Sequence, residues 1–153
     1  MFIRYHGNYS SPYTKQPYGI FAVISHLQRD GKLSKADSDL YDKTANWFEE
    51  NLPNPPFYDD RNAIRAVTWF KVYDEARHMI ERLAPYFEIA QKYEVEIIKS
   101  VRYEAPGKIV YEDEYQVGVV DHSGTLLDEG EFSGNGNRRG RSLGIGNKWL
   151  SCD

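Results

Sequence analysis

The chain has a single cysteine, Cys152, one position from its end. No internal disulfide and no Cys-x-x-Cys pair can form, and a thiol with no base placed near it in sequence is not expected to be catalytic. No stretch approaches the roughly 18 apolar residues that a membrane-spanning helix needs. The opening MFIRYHGNYSS lacks an apolar run of signal-peptide length, so a cytoplasmic protein is expected. Basic residues are outnumbered, 19 Lys and Arg against 23 Asp and Glu, for a net charge of −4. A surface of that sign does not attract nucleic acid or anionic lipid as a whole. The four histidines, His6, His26, His78 and His122, are scattered and form no His-x-x-x-His pair, so no metal site is expected. There is no Gly-x-Ser-x-Gly nucleophile turn. GNGNRRG spaces its glycines wrongly for a phosphate loop and lacks the Lys-Ser/Thr that would follow.

Aromatic residues are what the chain has in excess: 14%, with 12 Tyr against 7 Phe and 3 Trp. Tyrosine buries a ring while keeping its hydroxyl wet, which suits half-buried positions and contact surfaces. At 153 residues one core is the simplest arrangement.

Strand propensity in MFIRYH (1–6) predicts a first strand ending at Gly7, followed by a loop over 7–18. Ile20, Phe21, Val23, Ile24 and Leu27 recur at helical spacing, with Gly31 as the stop. Ser34 opens a capping-box-like SKAD, and the helix behind it carries Leu40, Tyr41, Ala45, Trp47, Phe48 and Leu52 on one side. PNPP (53–56) ends it. AVTWFKVY (66–73) barely alternates and reads as a central strand covered on both faces. A third helix is predicted over 74–93, with Pro85 either kinking it or starting a second one. VEIIKSVRY (95–103) is a further strand, and KIVYE and YQVGVV form a hairpin.

The expected fold is therefore α+β: a mixed sheet of about five strands with three helices packed on it, in the order β-α-α-β-α-β-β-β. The compact domain covers 1–121. The segment 122–153 holds seven of the twelve glycines and reads as a tail, flexible by composition or pinned to the body or a partner. Its Arg138, Arg139 and Arg141 cluster suits phosphate attraction without base readout, which gives a minor nucleic-acid reading.

Two places carry functional hypotheses. One is the set of Tyr- and Pro-rich loops, NYSSPYTKQPY (8–18) and NPPFYDD (54–60), which offer Tyr9, Tyr13, Tyr18, Phe57 and Tyr58. Loops commonly carry function, and tyrosines supply contact area at small entropy cost. With the acidic YEDEY (111–115), where Glu112 and Asp113 stand at a hairpin tip as solvated charge, they suggest a non-catalytic binding protein. It would act as an immunity protein or inhibitor in bacterial or phage conflict, recognising a partner protein with a basic patch and needing no cofactor.

The other place is RYHG (4–7) taken with EDEY (112–115). Here the chain resembles the ADP-ribosyltransferases, which carry His-Gly on an early strand and Glu-Tyr at the start of a late one. That resemblance implies NAD or another nucleotide-sugar as substrate, His6 on the nicotinamide-side ribose and Glu114 as the catalytic carboxylate. Asn8 stands where the family has Ser or Thr after the glycine, and Tyr58 or Tyr73 would have to supply the stacking tyrosine.

Overall fold

A computed structural model describes residues 1–60 and 64–122. Its centre is a six-stranded, curled antiparallel sheet built from β1 (Phe2–Ser10), β2 (Pro17–Gly19), β3 (Val67–Lys71), β4 (Ile98–Arg102), β5 (Lys108–Glu112) and β6 (Gln116–Val120). The order is β2-β1-β3-β6-β5, and β4 also pairs with β1. On β1, β4 runs along one edge from Phe2 to His6. β3 and β2 divide the opposite edge, β3 pairing at Phe2 and Ile3, β2 at His6 and Ser10. The α+β class and the predicted order of strands and helices hold. Every described pairing is antiparallel.

The helices are α1 (Ile20–Arg29), α2 (Lys35–Asn51), α3 (Asp74–Glu81) and α4 (Ala84–Lys92), with a 3₁₀ turn at Pro56–Asp60. Ser34 caps α2 as its sequence predicts: its Oγ accepts from the Asp37 amide at 3.1 Å. The predicted third helix is two, because Pro85 lies in the first turn of α4, where its missing N–H costs nothing.

Strand alternation sorts β1 into two faces. Ile3 and Tyr5 join Phe21, Ile24, Phe48, Phe70, Leu83, Tyr86 and Ile89 in the main core beneath the helices. Phe2, Arg4 and His6 point the other way, where Val67, Trp69, Val117 and Val119 make a second buried cluster with Phe2. β3 is buried throughout, as its unalternating sequence predicts.

The clearest departure is β1 itself, which runs through Gly7 and Asn8 to Ser10 where a loop is predicted. Gly7 is needed for close approach, since a Cβ there would meet Val23 Cγ2 of α1 at 2.8 Å. Its small size serves helix–strand packing. The predicted tail, with Arg138, Arg139, Arg141 and Cys152, lies outside the described residues except for His122.

Candidate functional site

The YEDEY hairpin gives each of its acids a separate task. Asp113 Oδ1 accepts from the backbone amides of Tyr115 and Gln116 at 2.8 and 3.0 Å. Its Oδ2 accepts from the Tyr111 hydroxyl at 2.7 Å and from Gln116 Nε2 at 3.0 Å. Four donors on one carboxylate make it the clamp of the turn, which leaves no lone pair readily offered to a partner. Hydrogen bonding to Asp113 and burial push the Tyr111 phenol far up from its ordinary value, burial being the larger cause. Glu112 reaches the buried Lys71 ammonium at 2.6 Å. Glu114 is exposed beside Lys71, Tyr73, Asp74 and Glu75 in an open groove of about 490 Å³, and Glu112 is exposed too. Wetted charge thus describes Glu112 and Glu114, whereas Asp113 is engaged in the turn.

His6 is buried in mid-strand and hydrogen-bonded on both ring nitrogens. Nδ1 lies 2.9 Å from the Gly7 carbonyl oxygen, which can only accept, so Nδ1 carries the proton. Nε2, 2.8 Å from Ser100 Oγ, then accepts from that hydroxyl. Burial, and secondly the Arg4 charge, push the imidazole down to about 3, so it is neutral at ordinary pH.

The structure does not bring His6 and Glu114 together. Ile3 is level with Phe70, and Phe70 with Gln116. Glu114 therefore lies two positions beyond that line toward one end of the sheet, and His6 three positions toward the other. At about 3.3 Å per residue, five positions separate them by roughly 16 Å along the strands.

The loop aromatics are drawn largely inward. Tyr18 is 7% exposed and belongs to the core. Tyr58 packs on that core from the 3₁₀ turn. Phe57 is half-buried against Gly118, where an added Cβ would fall 2.8 Å from its Cζ. Tyr13 is half-buried, with the Arg65 guanidinium 5.3 Å from its ring centroid. Tyr9 alone is well exposed, at 41%, and its hydroxyl is 2.6 Å from His26 Nδ1. Burial first, then the Arg29 charge, lower the His26 pKa.

Among the described residues the most exposed aromatics are two that sequence reasoning did not place in a contact surface. Phe2 pairs with Lys71 on one side and Arg102 on the other. Tyr73, two positions after Lys71, and Tyr103, directly after Arg102, emerge at the same end of the sheet, 49% and 79% exposed. Asp74, Glu75, Glu104 and Glu114 are exposed at this end too. Asp74 starts α3 with φ of 49°, a left-handed conformation uncommon outside glycine. The only sequence signal for this patch was that each tyrosine ends a predicted strand and is followed by an acid.

Among the described residues no group of three or more His, Cys, Asp and Glu side chains is gathered to hold a metal ion. No described helix is long and apolar enough to cross a membrane. Comparison with protein-family models, curated proteins and solved structures finds no match.

Proposed function

We propose that the protein is a non-catalytic recognition protein, of immunity-protein or inhibitor type, that binds a basic partner protein through the acidic, aromatic end of its sheet. The observation that carries this reading is the exposure of Tyr103 and Tyr73 among the four carboxylates of Asp74, Glu75, Glu104 and Glu114. Aromatic side chains standing in water are poor contributors to their own fold and good anchors for a partner. The carboxylates around them select for Lys and Arg and steer their approach. The left-handed Asp74 adds support, since backbone strain collects at functional positions. The surface thus moves from the loop tyrosines to the strand ends, with Tyr9 the one loop residue still offering an open ring. Transfer of ADP-ribose by His6 and Glu114 gains no support from this geometry, because the two groups sit toward opposite ends of the sheet.

Selection of random displayed peptides on the intact protein tests the reading. Enrichment of Lys- and Arg-rich sequences that no longer bind a Tyr73→Ala/Tyr103→Ala variant is the expected outcome. Enrichment of sequences without basic residues, or equal binding by the variant, counts against it.

A further inference from the structure

The strand β5 carries apolar side chains that the fold leaves in water. It stands last in the order β2-β1-β3-β6-β5, pairing with β6 on one side and with no described strand on the other. An outer edge of this kind presents unpaired N–H and C=O groups, a template for another strand. Ile109 and Val110 stand near its middle, each 40% exposed, and among the described strands they are the only exposed aliphatic side chains. Edges kept free in water are commonly guarded by charge. Here the middle is β-branched and aliphatic, and the charges stand at the two ends with opposite sign, Lys108 first and Glu112 last.

The strand KIVYE is therefore complementary to itself when reversed. Two copies aligned antiparallel set the Lys108 end of each against the Glu112 end of the other. The apolar middle, Ile109 to Tyr111, lies along the same three residues of the second copy. Opposite charges, and aromatic with β-branched side chains, are combinations that stabilise neighbouring strands. In-register parallel alignment would instead oppose Lys to Lys and Glu to Glu. Glu112 is already oriented for the contact: Lys71 holds its Oε2 at 2.6 Å while the side chain stays 55% exposed. Lys108 is exposed and has no ion-pair partner among the described residues. A bulge between Ile109 and Tyr111 in the pairing with β6 shortens the regular stretch and keeps the contact small. Two such strands bury less than the roughly 1,200 Å² of standard stable interfaces, so the association is weak and reversible.

We propose that β5 is a self-association edge, through which two copies of the chain join antiparallel and continue the sheet across a two-fold axis. The contact is isologous, so each copy covers the other's open edge and the assembly closes as a dimer. Neither Tyr73 nor Tyr103 takes part, and the proposal stands or falls independently of the binding reading.

Sedimentation equilibrium of the full chain, from micromolar to millimolar protein, reads the association. A reversible monomer–dimer equilibrium with no larger species is expected. Lys108→Glu sets acid against acid at both ends of the contact and should weaken dimerisation by about tenfold or more. Glu112→Lys does the same with base against base. An equimolar mixture of these two variants should recover dimer, since each then meets its opposite. Glu112→Lys also removes the Lys71 ion pair, so Val110→Lys, at an exposed position, provides a separate arm. It should weaken dimerisation by about tenfold or more and leave the melting temperature of the dilute protein nearly unchanged. A parent that stays monomeric throughout overturns the proposal and leaves the edge to some other occupant. So does a dimer that Lys108→Glu and Val110→Lys leave intact, because the contact then lies elsewhere. A mixture of folded charge variants that remains monomeric contradicts the pairing of the two ends.

Discussion

Asp113 shows how a residue chosen for its charge can be engaged wholly in structure. Its carboxylate closes the β5–β6 turn through four hydrogen bonds. Asp113→Ala should therefore cost roughly 2–4 kcal/mol in urea unfolding, because buried donors lose a charged acceptor. Asp113→Asn should cost less, as an amide oxygen can still take the two backbone N–H groups; an unchanged midpoint in Asp113→Ala would refute the clamp. Acid should weaken the fold in two windows. His6 has a folded value of about 3 against 6.5 unfolded. The unfolded chain thus takes up a proton that the folded one refuses, and stability falls as pH drops from 6.5 toward 3. Asp37 is held at about 2 rather than 3.8, by hydrogen bonds from Tyr93 and then Lys92. Its contribution is complete above 3.8 and lost as pH falls toward 2. Urea midpoints measured across pH should show a shallower slope in the upper window for His6→Asn, and in the lower one for Asp37→Asn. Parallel curves in parent and variants would contradict these assignments.

At the scale of elements, what the sequence made legible was local and periodic. The apolar stripes of α1 and α2, the cap at Ser34 and the break at Pro85 each rest on residues within one or two turns of each other. The end of β1 was not legible, because Gly7, Asn8 and Ser10 have poor strand propensity. They are extended because Pro17–Gly19 of β2 pairs along this part of β1, from His6 to Ser10. Arg4 escaped notice for a related reason: a polar residue alternating with Ile3 and Tyr5 ordinarily marks a wet face, and only the curled sheet makes that face an interior. The packing of the 3₁₀ turn on β6 is equally non-local and can be tested directly. Gly118→Ala would drive a methyl to within 2.8 Å of the Phe57 ring. A loss of about 1–3 kcal/mol is expected from this overpacking. Combining Gly118→Ala with Phe57→Leu should recover part of it, whereas a fully tolerated Gly118→Ala would show that the ring is not held there.

For the whole molecule, polarity is divided by place. One end of the sheet exposes Tyr73 and Tyr103 among acids, while the second face buries Arg4 and His6. The site was only partly readable in advance because exposure depends on where each strand stops. Tyr18 and Tyr58, loop residues by sequence, point into the core. Tyr103, inside a predicted strand, stands past its end. With net charge of −4 and these acids gathered at one end, encounter with a basic partner should be steered over distances near the Debye length, about 10 Å at 0.1 M salt. The most direct measurement is the association rate constant of a selected Lys- and Arg-rich ligand with the full chain, followed as salt is raised. The rate should fall steeply in the parent and only weakly in a Glu75→Gln/Glu114→Gln variant. Identical salt dependence in the two proteins, or none in either, would contradict recognition through the acidic end.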